Sequence, residues 1–470
     1  MPADIDDLFA ALGREADALP LPPPGAAIRR GRRRNRNRAA LAASAVLLVV
    51  LAGVGLAVRY RPDDRTHPIL PTTQDDRVSG MSPIGGPVVH GDGNDTWQRV
   101  IEADGRIYGV VTLPGGGGRV VAVDASTGAV LWSSTTYERL SEQAGLVAIP
   151  GALLVTEPAS ATERTTLDLD ADTHVLDPET GQSTLSVAWQ FGSRWITGGG
   201  MLVLQNTNGA LKGFDLDDLD HTWRVPAGDD TPAYLVGTDE VGSGDLGPLV
   251  RITDGDLVQV TKSGKVRVID IGTGKVRDTV ATGQPAPAAA IADDGKLLSS
   301  VGRTLRETDL SGDGTRILYT APAGWRTGAV RACGDGRLCL YQYQPDGEHT
   351  EVLAIDATDG EVVWRSSTTS QAETFLRVRG SRVLLGGATQ TAVYDGSGRL
   401  LFAGPGTADW IDDDDVLWVG ADGSVSAVSA RDGARTGLGT VPGLTGDCAV
   451  SAEVLACPTG GTLRLWRFTH

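Results

Sequence analysis

The four cysteines are the residues of this chain best placed for covalent chemistry, and they form two local pairs. Cys333 and Cys339 bracket one tight turn, and Cys448 and Cys457 bracket a second hairpin. Opposed positions on antiparallel strands place Cβ atoms about 4.5–5.5 Å apart, which is close to disulfide reach. If the domain is exported, as the N-terminal sequence described below predicts, this even count predicts the cystines Cys333–Cys339 and Cys448–Cys457. The alternative is a four-cysteine zinc site, but the C-x₂-C spacing typical of such sites is missing.

The other candidates for chemistry are incomplete. Gly272 to Lys275 looks like part of a phosphate-binding loop, but Val276 stands where Ser or Thr is needed. Asp309 to Gly314 resembles the start of a calcium loop, but Thr320 replaces the required Glu. The histidines show no metal-ligand or triad spacing, so we predict no catalytic, cofactor-binding or metal-binding residue. They are His67, His90, His174, His221, His349 and His470.

A recurring hairpin must position whatever site exists. Its first copy starts with a short, apolar, β-branched strand that ends at Asp124. The Asp124 carboxylate can accept hydrogen bonds from N–H groups of the following turn, and Gly128 supplies the positive φ of that turn. Trp132, eight residues after the Asp, falls on the outgoing strand and can bury a large area against a neighbour.

This unit returns almost unchanged at residues 354–364, and weaker copies occur between and after the two. The recurrence, roughly every 34 to 55 residues, is typical of four-stranded propeller blades. The predicted structural anchors of the repeats are Asp124, Gly128, Trp132, Asp177, Gly181, Asp215, Trp223, Asp270, Gly274, Asp356, Gly360 and Trp364.

The pattern Ala-x-Asp-x-x-Thr-Gly-x-x-x-Trp resembles the repeat of the PQQ-like (quinoprotein-like) β-propeller family. That family includes quinoprotein alcohol dehydrogenases and the lipoprotein scaffold of the outer-membrane β-barrel assembly machinery. By this resemblance, Trp132, Trp223 and Trp364 are expected to dock between blades, each on the turn glycine of a neighbour. The quinone enzymes of the family carry adjacent cysteines beside the cofactor and a calcium site. This chain has no Cys-Cys pair, so the expectation is no cofactor and no enzymatic activity.

The N-terminal region predicts a membrane anchor. Residues 1–38 are expected to be a cytoplasmic tail with a short amphipathic helix at 4–18 and an Arg-rich block at 29–38. Residues 39–58 are twenty uncharged residues, enough to cross about 30 Å of hydrocarbon as a helix. The preceding arginines predict a cytoplasmic N-terminus and an extracytoplasmic C-terminal domain. A cleaved signal peptide is the alternative.

Residues 59–85 are predicted to be a polar, proline-containing linker, and residues 86–470 an all-β propeller of four-stranded blades, with eight favoured within a range of seven to nine. A strand near 86–90 is expected to share a blade with the last strand and so close the ring. The Gly- and Asp-rich loop at 226–255 is the best candidate for an ordered functional insertion.

The charge balance limits the partners. The formal net charge is −17, and residues 39–470 alone carry −20 because the first 38 residues hold eight Arg and five acidic residues. An acidic domain of this kind repels nucleic acid. We therefore expect a membrane-anchored, non-catalytic binding or scaffold module with an envelope protein, peptide or glycan as partner. The alternatives are an exported quinoprotein-like oxidoreductase and a sensor coupled to a cytosolic partner through the tail.

Overall fold

The structure is a computed structural model that describes residues 77–90, 94–141, 144–157, 170–190, 192–238, 250–253, 255–285, 287–312, 314–347, 349–368, 375–386 and 390–470. The predicted tail, the predicted membrane span and the linker up to residue 76 lie outside these ranges. Within these ranges, no helix has the length and apolar character needed to cross a membrane.

The described residues form strands throughout. The strands of the first four blades are β3 (Thr96–Ala103), β4 (Arg106–Thr112), β5 (Gly118–Asp124), β6 (Val130–Ser133); β7 (Gly145–Ile149), β8 (Ala152–Glu157), β9 (Asp170–Leu176), β10 (Ser183–Gln190); β11 (Arg194–Gly198), β12 (Met201–Gln205), β13 (Leu211–Asp215), β14 (Thr222–Val225), with β16 (Val250–Ile252) added; and β15 (Pro232–Gly237), β17 (Leu257–Thr261), β18 (Lys265–Ile269), β19 (Val276–Ala281).

The next four blades each take four consecutive strands. These are β20 (Ala289–Asp293), β21 (Lys296–Val301), β22 (Thr304–Asp309), β23 (Thr315–Thr320); β24 (Arg326–Ala332), β25 (Arg337–Tyr343), β26 (Thr350–Asp356), β27 (Val362–Thr368); β28 (Phe375–Arg379), β29 (Arg382–Gly386), β30 (Gln390–Tyr394), β31 (Leu400–Pro405); and β32 (Thr407–Trp410), β33 (Asp415–Val419), β34 (Ser424–Ser429), β35 (Arg435–Thr440).

The ninth blade is assembled from both ends of the domain. It contains β36 (Ala449–Val450), β37 (Val454–Thr459) and β38 (Thr462–Thr469), and its outer positions are filled by β1 (Gly80–Pro83) and β2 (Val88–Val89). Both N-terminal strands pair antiparallel with β38, for example Met81 with Phe468 and Val88 with Leu463. The outermost strand β1 therefore comes from the stretch predicted to be linker.

The all-β propeller is confirmed, but the favoured count of eight blades is wrong, because the described residues form nine sheets. The strands from β3 to β35 form eight blades, and the composite closing blade is a ninth. Weak repeats still form four strands because burial of both sheet faces, rather than a turn glycine or a tryptophan, holds a strand in place. In β17, for instance, all five residues are buried.

Among the described residues, nine hydrophobic clusters lie between consecutive blades. One of them joins the ninth blade to the first through Val88, Leu463, Trp97 and Val121, so the ring is closed. The first strands of neighbouring blades contact one another, as β11 does with β15 and β15 with β20. The first strand of each blade therefore lies on the axis side, and the fourth lies on the rim.

Candidate functional site

The Asp-x-x-Thr-Gly turn is a hydrogen-bonded lock at the end of the third strand of a blade. One oxygen of Asp124 accepts bonds from the Ser126 N–H (3.0 Å), the Thr127 N–H (2.9 Å) and both hydroxyls (2.7 and 2.8 Å). The hydroxyl of Ser126, followed by that of Thr127, lowers the pKa of Asp124. Gly128 has a φ of 75°, which favours glycine. Asp177, Asp270 and Asp356 hold equivalent turns.

Three tryptophans dock on turn glycines of the next blade. A Cβ added to Gly181 would lie 2.4 Å from Trp132. An added Cβ would also lie 2.4 Å from the tryptophan in the two other pairs, which are Gly274 with Trp223 and Gly398 with Trp364. The indole N–H of Trp132 donates to the carbonyl oxygen of Pro178 at 3.0 Å. That of Trp223 donates to the carbonyl oxygen of Ile271 at 3.0 Å.

Other turn glycines pack on leucine or isoleucine residues and not on a tryptophan. Gly360 lies against Leu318 of β23, Gly433 against Leu401 of β31, and Gly128 against Ile84 at the ring closure. In the third blade, Asp215 keeps the turn although Leu219 replaces the glycine. An apolar residue in an apolar strand carries no signal of its own, so sequence reasoning missed these partners. The anchors are spread around the ring, and the structure brings them together in pairs, not in one site.

The cysteines form the disulfides Cys333–Cys339 and Cys448–Cys457. The first lies at the turn between β24 and β25, with both residues buried. The second bridges the chain just before β36 to β37 in the closing blade. Each links neighbouring strands within one blade, so the disulfides stabilise hairpins and provide no zinc ligands.

The segment predicted as a functional insertion is placed at the axis. Its residues 232–237 are strand β15, the first strand of the fourth blade, so this part of the predicted loop is a blade strand. After β15 the chain returns to the third blade, where β16 pairs with β11 in parallel. The paired positions are Trp195 with Val250, Ile196 with Arg251 and Thr197 with Ile252. The opposite edge of β11 pairs with β12, so β16 lies on the axis side of the sheet.

The return of this insertion to the fourth blade is closely packed around Thr253. The Thr253 N–H donates to the Thr197 carbonyl oxygen at 2.8 Å, and its hydroxyl donates to the Thr238 carbonyl oxygen. Thr253 is 0 % exposed. A Cβ on Gly198 would lie 2.1 Å from the Thr253 carbonyl oxygen, and one on Gly237 would lie 2.2 Å from the Thr253 Cβ. Gly198 therefore allows the Thr253 backbone, and Gly237 the Thr253 side chain, to approach more closely than a larger residue would permit.

The same insertion also contacts the fifth blade. Thr238 forms an isolated parallel bridge with Ala292 of β20. Its hydroxyl accepts a bond from the Asp256 N–H at 2.7 Å. Three consecutive blades are thus joined at their axis side by one excursion of the main chain. Residues 238 and 250–256, as far as the structure describes them, are the candidate functional site, which we call the axial insertion.

One histidine lies between an aspartate and a serine. The positions of these three residues in the sequence did not indicate this contact. His90 Nδ1 is 2.7 Å from an oxygen of Asp95, and its Nε2 is 3.3 Å from the Ser133 hydroxyl. Asp95 is 6 % exposed, whereas Ser133 lies on the exposed outermost strand of the first blade. His90 follows β2 directly, so these bonds join the ring-closing chain to the first blade. We assign them to closure of the ring, because Ser133 faces open solvent on the rim.

The acidic run at Asp412 to Asp415 is neutralised within the fold. Asp414 pairs with Arg382 at 2.9 Å and with Arg431, which, as the largest influence, lowers the pKa of Asp414. Asp412 accepts hydrogen bonds from the backbone of Asp414 and Asp415. No group of three or more His, Cys, Asp or Glu residues suited to a metal occurs in the part of the chain that the structure describes.

Residues 116–304 match the family described as outer membrane protein assembly factor BamB. No curated protein matches the chain. Among solved structures, similar chains include BamB from Moraxella catarrhalis, at 12 % identity over 83 % of this chain and 100 % of that one, with a TM-score of 0.43. The computationally designed Ika8 protein is 14 % identical over 82 % and 99 %, with a TM-score of 0.46. The propeller domain of Cps50 (Swd1) from Myceliophteria thermophila is 14 % identical over 58 % and 94 %, with a TM-score of 0.35. At these identities and TM-scores, the three solved structures carry no conclusion about ligands.

Proposed function

We propose that this chain, a PQQ-like β-propeller protein by the match over residues 116–304, is a membrane-anchored extracytoplasmic binding module that acts as a scaffold and not as an enzyme. The observation that carries the proposal is the use of the repeat residues. The Asp carboxylates lock their own turns and the tryptophans dock on neighbouring glycines, so both serve the ring. The axial insertion departs from the repeat and is the feature free to be specialised for a partner.

The compartment is inferred from the disulfides and the N-terminal sequence. Two disulfides are typical of a protein that folds outside the reducing cytosol. The Arg-rich block before the uncharged residues 39–58 favours a cytoplasmic N-terminus. An alkaline phosphatase fused after His470 is therefore expected to be active in cells, because that reporter needs export. An inactive but intact fusion would contradict the proposed topology, and replacing the arginines of 29–38 by glutamine should lower the fraction of active fusion.

The proposed partner is an envelope protein, peptide or glycan that binds near the axial insertion. The insertion leads back into β17, which is the second strand of the fourth blade. Because consecutive strands are antiparallel, the turns between first and second strands of the other blades lie on this same face of the ring. A photo-crosslinking residue at the exposed Asp294, in such a turn, is expected to give a discrete adduct in living cells. The control position is Asp422, in a turn between second and third strands, on the opposite face. Equal adducts from both positions, or none from either, would argue against a binding face at the insertion.

The binding proposal also predicts no quinone chemistry. All four cysteines are committed to hairpin disulfides, whereas the quinone enzymes that the repeat resembles place adjacent cysteines at the cofactor. Pyrroloquinoline quinone with calcium is expected to leave the Tm unchanged, because only a ligand of the folded state raises it. A quinone absorbance band that remains with the protein after gel filtration would refute the scaffold assignment.

A further inference from the structure

One blade differs from the others on its axis side. In the third blade the axis-side edge of β11 carries the additional strand β16, and the described strands add no such fifth strand to the first strand of any other blade. The added strand is only three residues long, Val250–Ile252. It runs parallel to β11, and in the sequence it lies between β15 and β17, the first two strands of the fourth blade. The edge of β11 is therefore a place where an extended segment from elsewhere can be added to the sheet.

The pairing depends on main-chain groups. An uncovered strand edge presents a row of N–H and C=O groups that can accept another strand. The side chains of β11 are already used elsewhere: Trp195 and Ile196 are buried at 2 % and 0 % exposure in clusters on the two faces of the blade. A segment added at this edge is thus recognised through its backbone, and the demand on its sequence is that it be extended and free of proline at paired positions.

We propose that the axis-side edge of β11 is a strand-addition site for an extended peptide segment of a partner, and that Val250–Ile252 occupies this edge in the free protein in place of that peptide. The proposal rests on the binding function proposed above and names its mode. A parallel strand of three residues is too short to be stable by itself. It stays in place because it is tethered to the same chain, which gives it a high effective concentration. A longer peptide makes more main-chain bonds and can displace it.

The chemistry of the partner segment follows from the segment now in place. It would be extended, run parallel to β11 and favour β-branched residues, as Val250 and Ile252 are. A steric demand on the segment is set just beyond the paired residues. There the Thr253 backbone lies so close to Gly198 that an added Cβ would be 2.1 Å from the Thr253 carbonyl oxygen. A partner residue that follows the paired ones must pass the same point with the same closeness.

The close approach of Thr253 to Gly198 allows a test that displaces β16 and leaves the paired residues of β11 in place. Gly198→Ala is expected to push Thr253, and with it β16, off the edge of β11, while leaving Trp195, Ile196 and Thr197 in place to pair. The matched control is Gly437→Ala, a strand glycine that has nothing within 4 Å of its added Cβ and no positive φ. Arg251→Pro is a second way to release the segment. This substitution lies in β16 itself, and proline lacks the N–H and disrupts a strand. It keeps the test valid if Gly198→Ala does not fold.

The probe is a fluorescein-labelled peptide ending in Val-Arg-Ile-amide, which lacks the counterpart of the Thr253 carbonyl. Fluorescence anisotropy is measured with the full chain in detergent. If the resident segment covers the edge in about nine of ten molecules, release tightens the apparent Kd about tenfold. Gly198→Ala and Arg251→Pro should both show this gain, Gly437→Ala should match the wild type, and a Val-Pro-Ile peptide should not bind.

Two results would overturn the inference. A folded Arg251→Pro protein that does not bind the peptide would show that the edge of β11 is not a strand-addition site. Equal binding to the wild type and to both released variants would show that β16 does not occupy the peptide site. Neither result would affect adducts formed at Asp294 in cells, so failure of this inference is distinguishable from failure of the binding function itself.

Discussion

Trp132 of the first blade packs on Gly181 of the second blade. We therefore expect that a single methyl group added at Gly181 pushes these two blades apart. In Gly181→Ala the new Cβ would lie 2.4 Å from a ring carbon of Trp132, and the residue would have to hold a φ of 68°. The left-handed backbone costs about 1–2 kcal/mol for a residue with a Cβ. Displacing the indole also loses its bond to the Pro178 carbonyl oxygen, worth about 1 kcal/mol. Together with lost packing, the free energy of unfolding should fall by about 3–4 kcal/mol.

The two contributions can be separated by a control with the same backbone. Gly295 has a φ of 69°, and a Cβ there would meet nothing within 4 Å. Gly295→Ala should therefore cost only the backbone share, about 1–2 kcal/mol. The assay is urea unfolding of the purified variants, followed by tryptophan fluorescence, with the slopes compared to check that each unfolds in the same way.

A double variant tests the contact itself. With Trp132→Ala in the background, Gly181→Ala should cost no more than Gly295→Ala, because the indole that it displaces is gone. A difference between these costs in the wild-type and Trp132→Ala backgrounds measures the coupling. If Gly181→Ala and Gly295→Ala cost the same in the wild type, the docking of Trp132 does not hold the first two blades together.

Three further predictions concern the closure and the hairpins of the ring. The pair Cys333→Ala with Cys339→Ala should lower the free energy of unfolding by about 2 kcal/mol, from the chain entropy that the short loop regains; an unchanged urea midpoint would contradict this. The Ala434 N–H, the Ser429 hydroxyl and Arg77 lower the pKa of Asp432 from 3.8 to about 2. Its stabilising contribution is thus present above pH 3.8 and is lost as the pH falls through 2. The Tm difference between wild type and Arg77→Gln should accordingly shrink between pH 5 and pH 2, and a constant difference would count against it. His90→Ala leaves the buried Asp95 without this partner and should lower the free energy of unfolding by about 1–3 kcal/mol. Ser133→Ala should change it by no more than about 0.5 kcal/mol. Labelling of Ser133 by a fluorophosphonate would instead show that the serine is an activated nucleophile.

Much of the fold could be predicted because its signals are local. The turn at Asp124, the glycine at 128 and the strand that carries Trp132 lie within one short stretch of sequence. The cysteine pairs are also local, so hairpin geometry alone suggests partners for Cys333 and Cys448. The blade count was harder, because repeats that have lost a glycine or a tryptophan keep only the alternation and burial of their strands.

The candidate site could not be predicted in detail because its contacts are not local. The insertion at 226–255 stood out by length and composition. Its pairing with β11 joins two blades through three residues in parallel, and backbone pairing of this kind leaves no residue signature. His90 likewise meets Ser133 only because β2 joins the last blade and brings the following chain against the first.

The proposed extracytoplasmic location of the propeller, on which an envelope partner depends, is tested by the redox state of its cysteines in living cells. Cells are denatured in acid, and their thiols are then alkylated with a maleimide of high mass, with and without prior reduction. We expect no mass shift without reduction and a shift for all four cysteines after it, since Cys333–Cys339 and Cys448–Cys457 are disulfides. Reactive thiols at these positions before reduction would place the propeller in a reducing compartment, contrary to the proposed location.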